Sequence, residues 1–366
     1  MFNLFNLNPE AFGLDISDSS LRIIKLKKKR NILGLASFGE IEIKPGIVKN
    51  GEIKNQQALT EAIKESFKKV KGQKLRTRYV VASLPEEEAF IQIIQMPKMN
   101  KEELKSAILF EIENYIPLSI EETYFDFQVV EPVYDHLDHL DVLIVAIPKK
   151  VIDPYISSLK GAGLIPKALE TESQAISRAL VKNEVTSFPL LLLYFGTSKV
   201  NFTMFSGYSL RFTTSISISS KKLDEAVSRS LKVDIKQARR LRFKYGLRPE
   251  STGKGKKIFE ALIPSLTDLI EQIKKYINYY HSHAAHEHLP PDGKKVEKIL
   301  VCGEEANLSG LTDFLSKELK VLVEIGNPWV NILPNPLNET PELPFKESLK
   351  YTIALGLALR GIKNNK

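Results

Sequence analysis

The stretch from residue 12 to residue 26, FGLDISDSSLRIIKL, combines side chains that could hold a phosphate group and a metal ion. Its polar turn contains Asp15, Ser17, Asp18, Ser19 and Ser20 between two apolar runs. Small hydroxyl residues let successive backbone N–H groups converge on an anion, and a carboxylate at a strand end can hold a metal ion through water. The alternation of apolar and polar residues predicts a β-hairpin around this turn. An ordinary Asp/Ser hairpin turn is the alternative interpretation.

A second turn of the same kind lies near the middle of the chain. It contains Gly196, Thr197 and Ser198, follows the apolar run at residues 190–195, and leads through a second apolar run into another hairpin. This repetition predicts two duplicated halves that each bring one phosphate-sized turn to a shared cleft. Coincidence is the alternative, because hairpins with glycine turns are common.

The composition is that of a globular protein with two or more domains, since the chain has 366 residues, 43% hydrophobic and 26% charged. Cys302 is the only cysteine, which excludes a disulfide framework and favours a cytoplasmic compartment. The start of the chain lacks the basic region and apolar core of a signal peptide, so none is expected. The longest apolar runs fall short of the roughly 20 residues that a membrane-spanning helix needs.

The net charge of +8 favours acidic neighbours, either nucleic acid or an anionic membrane surface. The basic residues are spread along the chain, and residues 25–30 form the one dense block. Aromatic residues are not interleaved with that block, so nucleic acid is not a predicted partner.

Apolar periodicity and turn residues predict an alternation of strands and helices along the whole chain. We expect a helix from Asn55 to about residue 70, a β-α-β-β-α module within residues 86–165, and a long helix over residues 259–283. Residues 249–257 are expected to form a mobile loop, and residues 328–344 a surface connector.

Four histidines near the end of the long helix, His281, His283, His286 and His288, have a spacing that could bind a transition metal. The Pro-Pro pair that follows and the polar surroundings favour a solvated helix end instead. No metal site is predicted, and no catalytic Ser/His/Asp set with motif context is present.

The chain resembles the PilM family of type IV pilus assembly proteins, which are actin-like and similar to the cell-division protein FtsA. Four passages carry the resemblance, and they occur in the family's order: GLDISDSS from residue 13, FEIENYIPLSIEETYFDFQV from residue 110, KILVCGEEANLSGLTDFLSKEL from residue 298 with VEIGNPWVNI from residue 323, and ALGLALRG from residue 354.

The resemblance implies an α/β, actin-like (ribonuclease H-like) fold with two lobes. The first lobe comprises residues 1–85, 166–188 and 345–366. It carries an inserted small α+β subdomain, residues 86–165, and the second lobe spans residues 189–344.

The implied function is a cytoplasmic scaffold at the inner-membrane face. Its partners are the N-terminal cytoplasmic peptide of a PilN-like membrane protein and the pilus motor ATPase, and self-association is left open. The implied peptide site is a groove between the inserted subdomain and the first lobe, and its expected residues are Glu111, Tyr115, Ile116, Glu121, Glu122 and Tyr124.

ATP with Mg²⁺ is the cofactor that the resemblance implies. The residues that match the family's nucleotide positions are Asp15, Ser17, Ser19, Ser20, Arg22, Gly196, Thr197, Ser198, Glu271, Lys274 and Gly303.

Several of these positions depart from the family's pattern. Ser17 stands in place of glycine and Arg22 in place of lysine, Tyr194 in place of aspartate, and Ser219-Ser220 in place of a glycine pair. We expect Asp18 to add a carboxylate beside the phosphates, and Glu304 and Glu305 to put bulk and negative charge where the nucleotide would pass closest. The substitutions argue against retained ATP hydrolysis. An active actin-like ATPase and an FtsA-like polymerising membrane anchor are the alternatives.

Overall fold

The computed structural model describes residues 10–30, 32–115, 119–133, 138–248, 253–283, 289, 294–333 and 340–362, with backbone alone at residues 101 and 112–115. The described part of the chain contains sixteen strands: β1 Phe12–Ile16, β2 Ser20–Lys29, β3 Ile32–Glu42, β4 Val48–Lys49, β5 Glu52–Ile53, β6 Lys71–Gly72, β7 Tyr79–Leu84, β8 Phe90–Pro97, β9 Thr123–Val130, β10 His139–Pro148, β11 Ile165–Thr171, β12 Thr186–Phe195, β13 Val200–Gly207, β14 Ser209–Ile216, β15 Lys298–Gly303 and β16 Leu322–Ile325.

The same part of the chain contains ten α-helices: α1 Gln56–Ser66, α2 Lys101–Tyr115, α3 Lys149–Gly161, α4 Glu172–Leu180, α5 Ser220–Leu231, α6 Ile235–Tyr245, α7 Gly253–His283, α8 Leu311–Leu319, α9 Phe345–Ser348 and α10 Thr352–Ile362. None of the described helices is long and apolar enough to cross a membrane.

The first sheet has the strand order β11-β7-β1-β2-β3-β6. β1 pairs antiparallel with β2 and parallel with β7, which in turn pairs parallel with β11. β1 is buried along its whole length because α1 and α3 cover one face of the sheet and α4 and α10 cover the other. The approach of α10 requires glycine at position 13, where a Cβ would lie 2.3 Å from the carbonyl oxygen of Ala354.

The second sheet repeats this arrangement, with the order β14-β13-β12-β15-β16. Its first three strands pair antiparallel and its last pairings are parallel, as in β3-β2-β1-β7-β11 of the first sheet. Helices α5, α7 and α8 pack on this sheet around a core that includes Leu193, Phe202 and Leu266. The duplication predicted from the two turns is therefore a duplication of whole sheets.

A third sheet, β8-β10-β9, packs with α2 around its own small core, which includes Ile94, Leu104 and Ile144. Helix α3 directly follows β10, yet its side chains pack into the core of the first sheet. The Tyr155 hydroxyl on α3 donates a hydrogen bond to the carbonyl of Gly51, at 2.7 Å. Helix α3 thus joins the small sheet to the first lobe.

Two sequence expectations about loops are wrong. Helix α7 begins at Gly253, so residues 253–257 are helical, whereas residues 249–252 of the expected loop lie outside the described residues. The connector after residue 328 is also partly buried, since Trp329, Ile332 and Leu343 pack against α10. The Trp329 indole donates a hydrogen bond to the Ser348 hydroxyl at 2.9 Å, which fixes this segment to the first lobe.

Candidate functional site

The first predicted turn is closed by hydrogen bonds between its own residues. The backbone N–H and the hydroxyl of Ser17 both donate to the carbonyl of Ser20, each at 3.0 Å. The N–H of Ser20 donates to the Ser17 hydroxyl at 3.1 Å. The carbonyl of Ser19 accepts from Ile43, at 2.9 Å. Three of the donors that a phosphate group would need are thus engaged within the turn.

Asp18 has a structural role that the sequence did not suggest. Its two carboxylate oxygens accept the backbone N–H groups of Asn50 and Gly51, both at 3.0 Å. These two residues have φ values of 50° and 76° and form the tight turn between β4 and β5. Both oxygens of the Asp18 carboxylate thus bind the neighbouring hairpin, and the expectation that Asp18 lies beside a phosphate stays a prediction.

Asp15 is buried at the end of β1 and has a partner for each oxygen. Ser83 donates to one oxygen at 3.2 Å, and the Arg22 guanidinium lies 3.5 Å from the other. Burial raises the pKa of Asp15, and Arg22 opposes that shift. Arg22 also donates to Glu40 at 2.8 Å, and Glu40 pairs in turn with Lys350.

The second turn uses its carbonyls to bind the start of α5. The N–H of Gly196 donates to the carbonyl of Lys199, at 2.9 Å. The N–H groups of Ser220 and Lys221 donate to the carbonyls of Gly196 and Thr197, both at 3.3 Å. A helix N-terminus is a common anion site, but the first amides of α5 are already bonded here. Ser198 lies exposed at the tip of the turn.

Lys199 joins this second turn to the first lobe. Its ammonium group lies 2.7 Å from Glu87 and 2.9 Å from Glu172, which begins α4. Asn201 donates to the same oxygen of Glu172. Burial raises the pKa of Glu172 to about 7, Lys199 opposes the shift, and the nearby charges of Glu87 and Asp15 add to it. Lys199 therefore ties the second turn to the start of α4, and that the two predicted turns face one interlobe cleft stays a prediction.

A buried ion network joins α5, α6 and the turn that follows β15. Arg242 on α6 is fully buried and donates to Glu305 from both terminal nitrogens, and its Nε donates to Asp224 at 2.8 Å. The Ser220 hydroxyl donates to Glu305 at 2.5 Å. Sequence analysis missed Arg242, because one basic residue within the basic run of α6 carries no signal of burial.

Gly303 ends β15 immediately before this network. It has a φ of +85°, and a Cβ there would lie 2.3 Å from the carbonyl oxygen of Phe195. Glycine is thus required by the close approach of β15 to β12. The other two candidate nucleotide-binding residues of the second lobe, Glu271 and Lys274, are exposed on α7. They lie beside the buried Ile270 and Ile273.

The histidine cluster is only partly described. His281 and His283 lie in the last turn of α7, whereas His286 and His288 lie outside the described residues. Among the residues that the structure describes, no group of three or more His, Cys, Asp or Glu side chains could hold a metal ion.

A groove of about 450 Å³ runs between the small sheet and the first lobe. Its walls include β9, the edge strand of the small sheet, and β11, the edge strand of the first sheet. Helix α3 and the ends of β7 and β10 complete the walls. The whole lining is mostly apolar and comprises Leu84, Tyr124, Phe125, Asp126, Val145, Ile147, Ile152, Ile156, Lys160, Pro166, Lys167, Ala168 and Leu169. The groove thus places two sheet edges beside one apolar channel.

Tyr124 is the predicted partner-binding residue that lines this groove. It is 43% exposed, its hydroxyl donates to Asp153 at 3.1 Å, and the Lys149 ammonium lies 5.5 Å from the ring centroid. Glu121 and Glu122 are exposed in the short 3-10 turn that leads into β9. They lie at the approach to the groove.

The other predicted partner-binding residues lie on or after α2. Glu111 is half-buried on that helix, and Tyr115 ends it. Ile116 lies outside the described residues. Among the described residues that line the groove, none comes from α2. Sequence analysis missed the wall formed by Ile156 and Lys160 on α3, because no motif marks it.

Two sheets of the same strand order, with a small sheet joined to the first, define an actin-like protein. The predicted two-lobed α/β fold is therefore confirmed. The chain belongs to the family of type IV pilus assembly protein PilM, whose sequence model matches residues 13–362. The resemblance of the four passages to this family is also confirmed.

Solved structures share the fold at low sequence identity. A PilM-PilN type IV pilus biogenesis complex matches with a TM-score of 0.79 and 24% identity, over 98% of this chain and 100% of that chain. The ethanolamine utilization protein EutJ from Carboxydothermus hydrogenoformans matches with a TM-score of 0.55 and 13% identity, over 96% and 89%. MreB5 of Spiroplasma citri bound to ADP matches with a TM-score of 0.54 and 10% identity, over 95% and 94%.

Proposed function

We propose that this chain is a cytoplasmic scaffold of type IV pilus assembly that binds the N-terminal cytoplasmic peptide of a PilN-like inner-membrane protein. The groove between β9 and β11 is the observation that carries the proposal. Membership of the PilM family supports it, as does the similarity in fold to a PilM-PilN complex.

The chemistry of the groove suits an extended peptide. An edge strand offers backbone groups to an added strand, and alternate side chains of that strand then enter pockets. Here the apolar side chains of Ile152, Ile156 and Leu169 would receive apolar side chains of the peptide. Lys160 and Asp126 supply a charge of each sign at the lining, which would fix the direction of the peptide.

We propose that the inserted subdomain and the first lobe have the limits expected from the sequence. The groove lies where the inserted subdomain, residues 86–165, meets the first lobe, so a bound peptide would contact both. The link to the pilus motor ATPase and self-association would use other surfaces. A peptide from an inner-membrane protein would hold the scaffold at the cytoplasmic face of that membrane.

The residues of the predicted nucleotide site do not fit a magnesium nucleotide well. The turn around Ser17 and the first amides of α5 already have partners, and both oxygens of Asp15 are engaged. Lys199 supplies a positive charge between Glu87 and Glu172, and Arg242 is fully buried against Glu305. We therefore propose a scaffold with weak nucleotide binding. The active ATPase alternative is favoured only by the fold it shares with the ADP-bound MreB5.

Fluorescence anisotropy with a labelled PilN-like peptide tests the proposal. Tyr124→Ala should weaken binding about tenfold or more, as loss of an aromatic anchor does. Tyr208→Ala is the matched control, because Tyr208 is 46% exposed in the second lobe. Charge reversal at Glu121 and Glu122 should weaken binding and flatten its salt dependence without changing the melting temperature. Equal affinity in Tyr124→Ala and Tyr208→Ala would exclude this groove.

A further inference from the structure

A basic surface covers the end of the first sheet that is opposite the turn between β1 and β2. Two adjoining grooves share Lys27, Ala36 and Gln73 in their linings. We call this surface the basic face and define it by its charged lining residues: Lys25, Lys27, Lys29, Arg30, Lys74, Arg76 and Arg78, with Glu10 and Glu342 as the acidic members.

The fold concentrates these charges. Lys25, Lys27 and Lys29 are two residues apart on β2, so they point to the same side of the sheet. The segment from β6 to β7 crosses the sheet end and is held there by hydrogen bonds between Ser37 and Gln73, at 2.6 Å, and between Thr77 and Glu10, at 2.9 Å. Its basic side chains therefore lie beside those of β2.

Most of this charge is uncompensated. Lys25 pairs with Glu10 at 2.5 Å. Within the described residues, no ion pair is found for the other six basic members of the face, all of which are exposed. The face thus carries a concentrated positive potential, which attracts an anionic surface.

Exposed aliphatic side chains lie within the same face. Ile32 follows the tip of the β2–β3 hairpin and Ile165 begins β11, and both are 47% exposed. Single-stranded nucleic acid is bound by basic grooves in which aromatic side chains stack on the bases. Here the lining is basic and aliphatic, and Tyr79 is the one aromatic among its described residues. This combination suits lipid headgroups and the upper acyl region better.

The basic face also adjoins the proposed peptide groove. Ile165 lines the basic face, and the next four residues of β11 line the peptide groove. This step rests on the proposed function: a peptide that leads to a membrane span would bring the adjoining face close to the bilayer. The position of the basic face beside the peptide groove therefore agrees with the membrane contact that its positive charges favour.

From these observations we infer that the basic face binds the surface of an anionic phospholipid bilayer directly. The scaffold then has two membrane contacts, one through the partner's peptide and one through its own lysine and arginine side chains. The lysine stems reach outward from the sheet, and their ammonium groups contact lipid phosphates.

Vesicle co-sedimentation of the full chain at low salt tests this inference. The protein should bind vesicles of phosphatidylglycerol mixed with phosphatidylcholine, fail to bind pure phosphatidylcholine, and dissociate at high salt. Lys27→Gln/Lys29→Gln should reduce partitioning about 25-fold, since each removed positive charge costs about fivefold. Lys254→Gln/Lys257→Gln is the matched control, because both lysines are exposed on α7 in the second lobe. The control should stay within about twofold of the unmodified chain.

Peptide affinity, measured without vesicles, should be unchanged in both double variants, so failure of the groove and failure of the basic face are separate results. No binding to anionic vesicles, equal binding to neutral vesicles, or an equal loss in the control variant would overturn the inference. Binding of duplex DNA that depends on Lys27 and Lys29, without vesicle binding, would assign the face to nucleic acid instead.

Discussion

The ammonium nitrogen of Lys199 lies 2.9 Å from a carboxylate oxygen of Glu172, and this contact joins the two lobes. Lys199 belongs to the turn between β12 and β13, whereas Glu172 begins α4 of the first lobe. Both side chains are mostly buried, with 16% and 7% of their surfaces exposed. Lys199 therefore places one positive charge between two carboxylates, those of Glu87 and Glu172.

Replacement of Lys199 by methionine should destabilise the protein. Glu172 and Glu87 would then lie together without a positive partner, and removing one member of a buried pair costs several kcal/mol. Because Glu87 is partly exposed, we expect a loss of about 1–3 kcal/mol in the free energy of unfolding, measured by urea denaturation. Lys221→Met is the control, since that lysine is 73% exposed. Equal stability of the two variants would contradict the bridging role of Lys199.

Glu172 should make stability depend on pH. Its pKa is raised from 4.5 to about 7 in the folded protein, so the folded state holds the proton more tightly than the unfolded state. The stability from this group is complete below the unfolded pKa and is lost as pH rises through about 7. Between these limits we expect the protein to lose up to about 3 kcal/mol relative to Glu172→Gln.

Urea denaturation across this pH range checks the expectation. The Glu172→Gln variant should show a flatter dependence of unfolding free energy on pH. Glu318→Gln, a substitution on the exposed side of α8, should follow the unmodified protein. Parallel curves for all three proteins would show that Glu172 does not titrate in this way.

Arg242 and Arg239 form a matched pair on α6. Arg242 is fully buried against Glu305 and Asp224, whereas Arg239 is 37% exposed and pairs with Glu304. Arg242→Met should cost about 3–5 kcal/mol because it leaves buried carboxylates unpaired. Arg239→Met should cost about 1 kcal/mol or less. Similar losses in the two variants, measured by chemical denaturation, would refute the special role of the buried network.

Nucleotide binding should be weak. Titration calorimetry of the purified chain with ATP and Mg²⁺ should give a dissociation constant no tighter than about 0.1 mM, a free energy of only about −5 kcal/mol. The physical reason is that the phosphate-binding amides and Asp15 already have partners. Tight binding, or steady hydrolysis that Asp15→Ala abolishes, would instead support the ATPase alternative.

Local elements could be predicted from the sequence because their signals are local. Asn55 caps α1 as expected, and its side chain accepts from the N–H of Ala58 at 2.9 Å. The hairpin of β1 and β2 likewise follows from apolar alternation around one polar turn. The repeated turns predicted the duplication because each connects the corresponding pair of strands in its own sheet, β1 to β2 and β12 to β13.

The contacts that decide the sites could not be predicted, because they join distant residues. Arg242 is buried through Glu305, which lies 63 positions further along the chain. The groove depends on two edge strands, β9 and β11, that are adjacent only after both sheets have formed. The partner of Asp18 is a second hairpin more than thirty residues away. Such pairings depend on tertiary structure and leave no local pattern.

Hydrogen–deuterium exchange with and without the PilN-like peptide tests the central claim most directly. Strand addition in the groove should slow exchange in β9 or β11, the two edge strands that wall it, because new backbone hydrogen bonds protect their amides. The backbone amides in the turns around Ser17 and Gly196 should exchange at unchanged rates. Protection confined to those turns, or no protection of either edge strand under saturating peptide, would contradict the proposed peptide site.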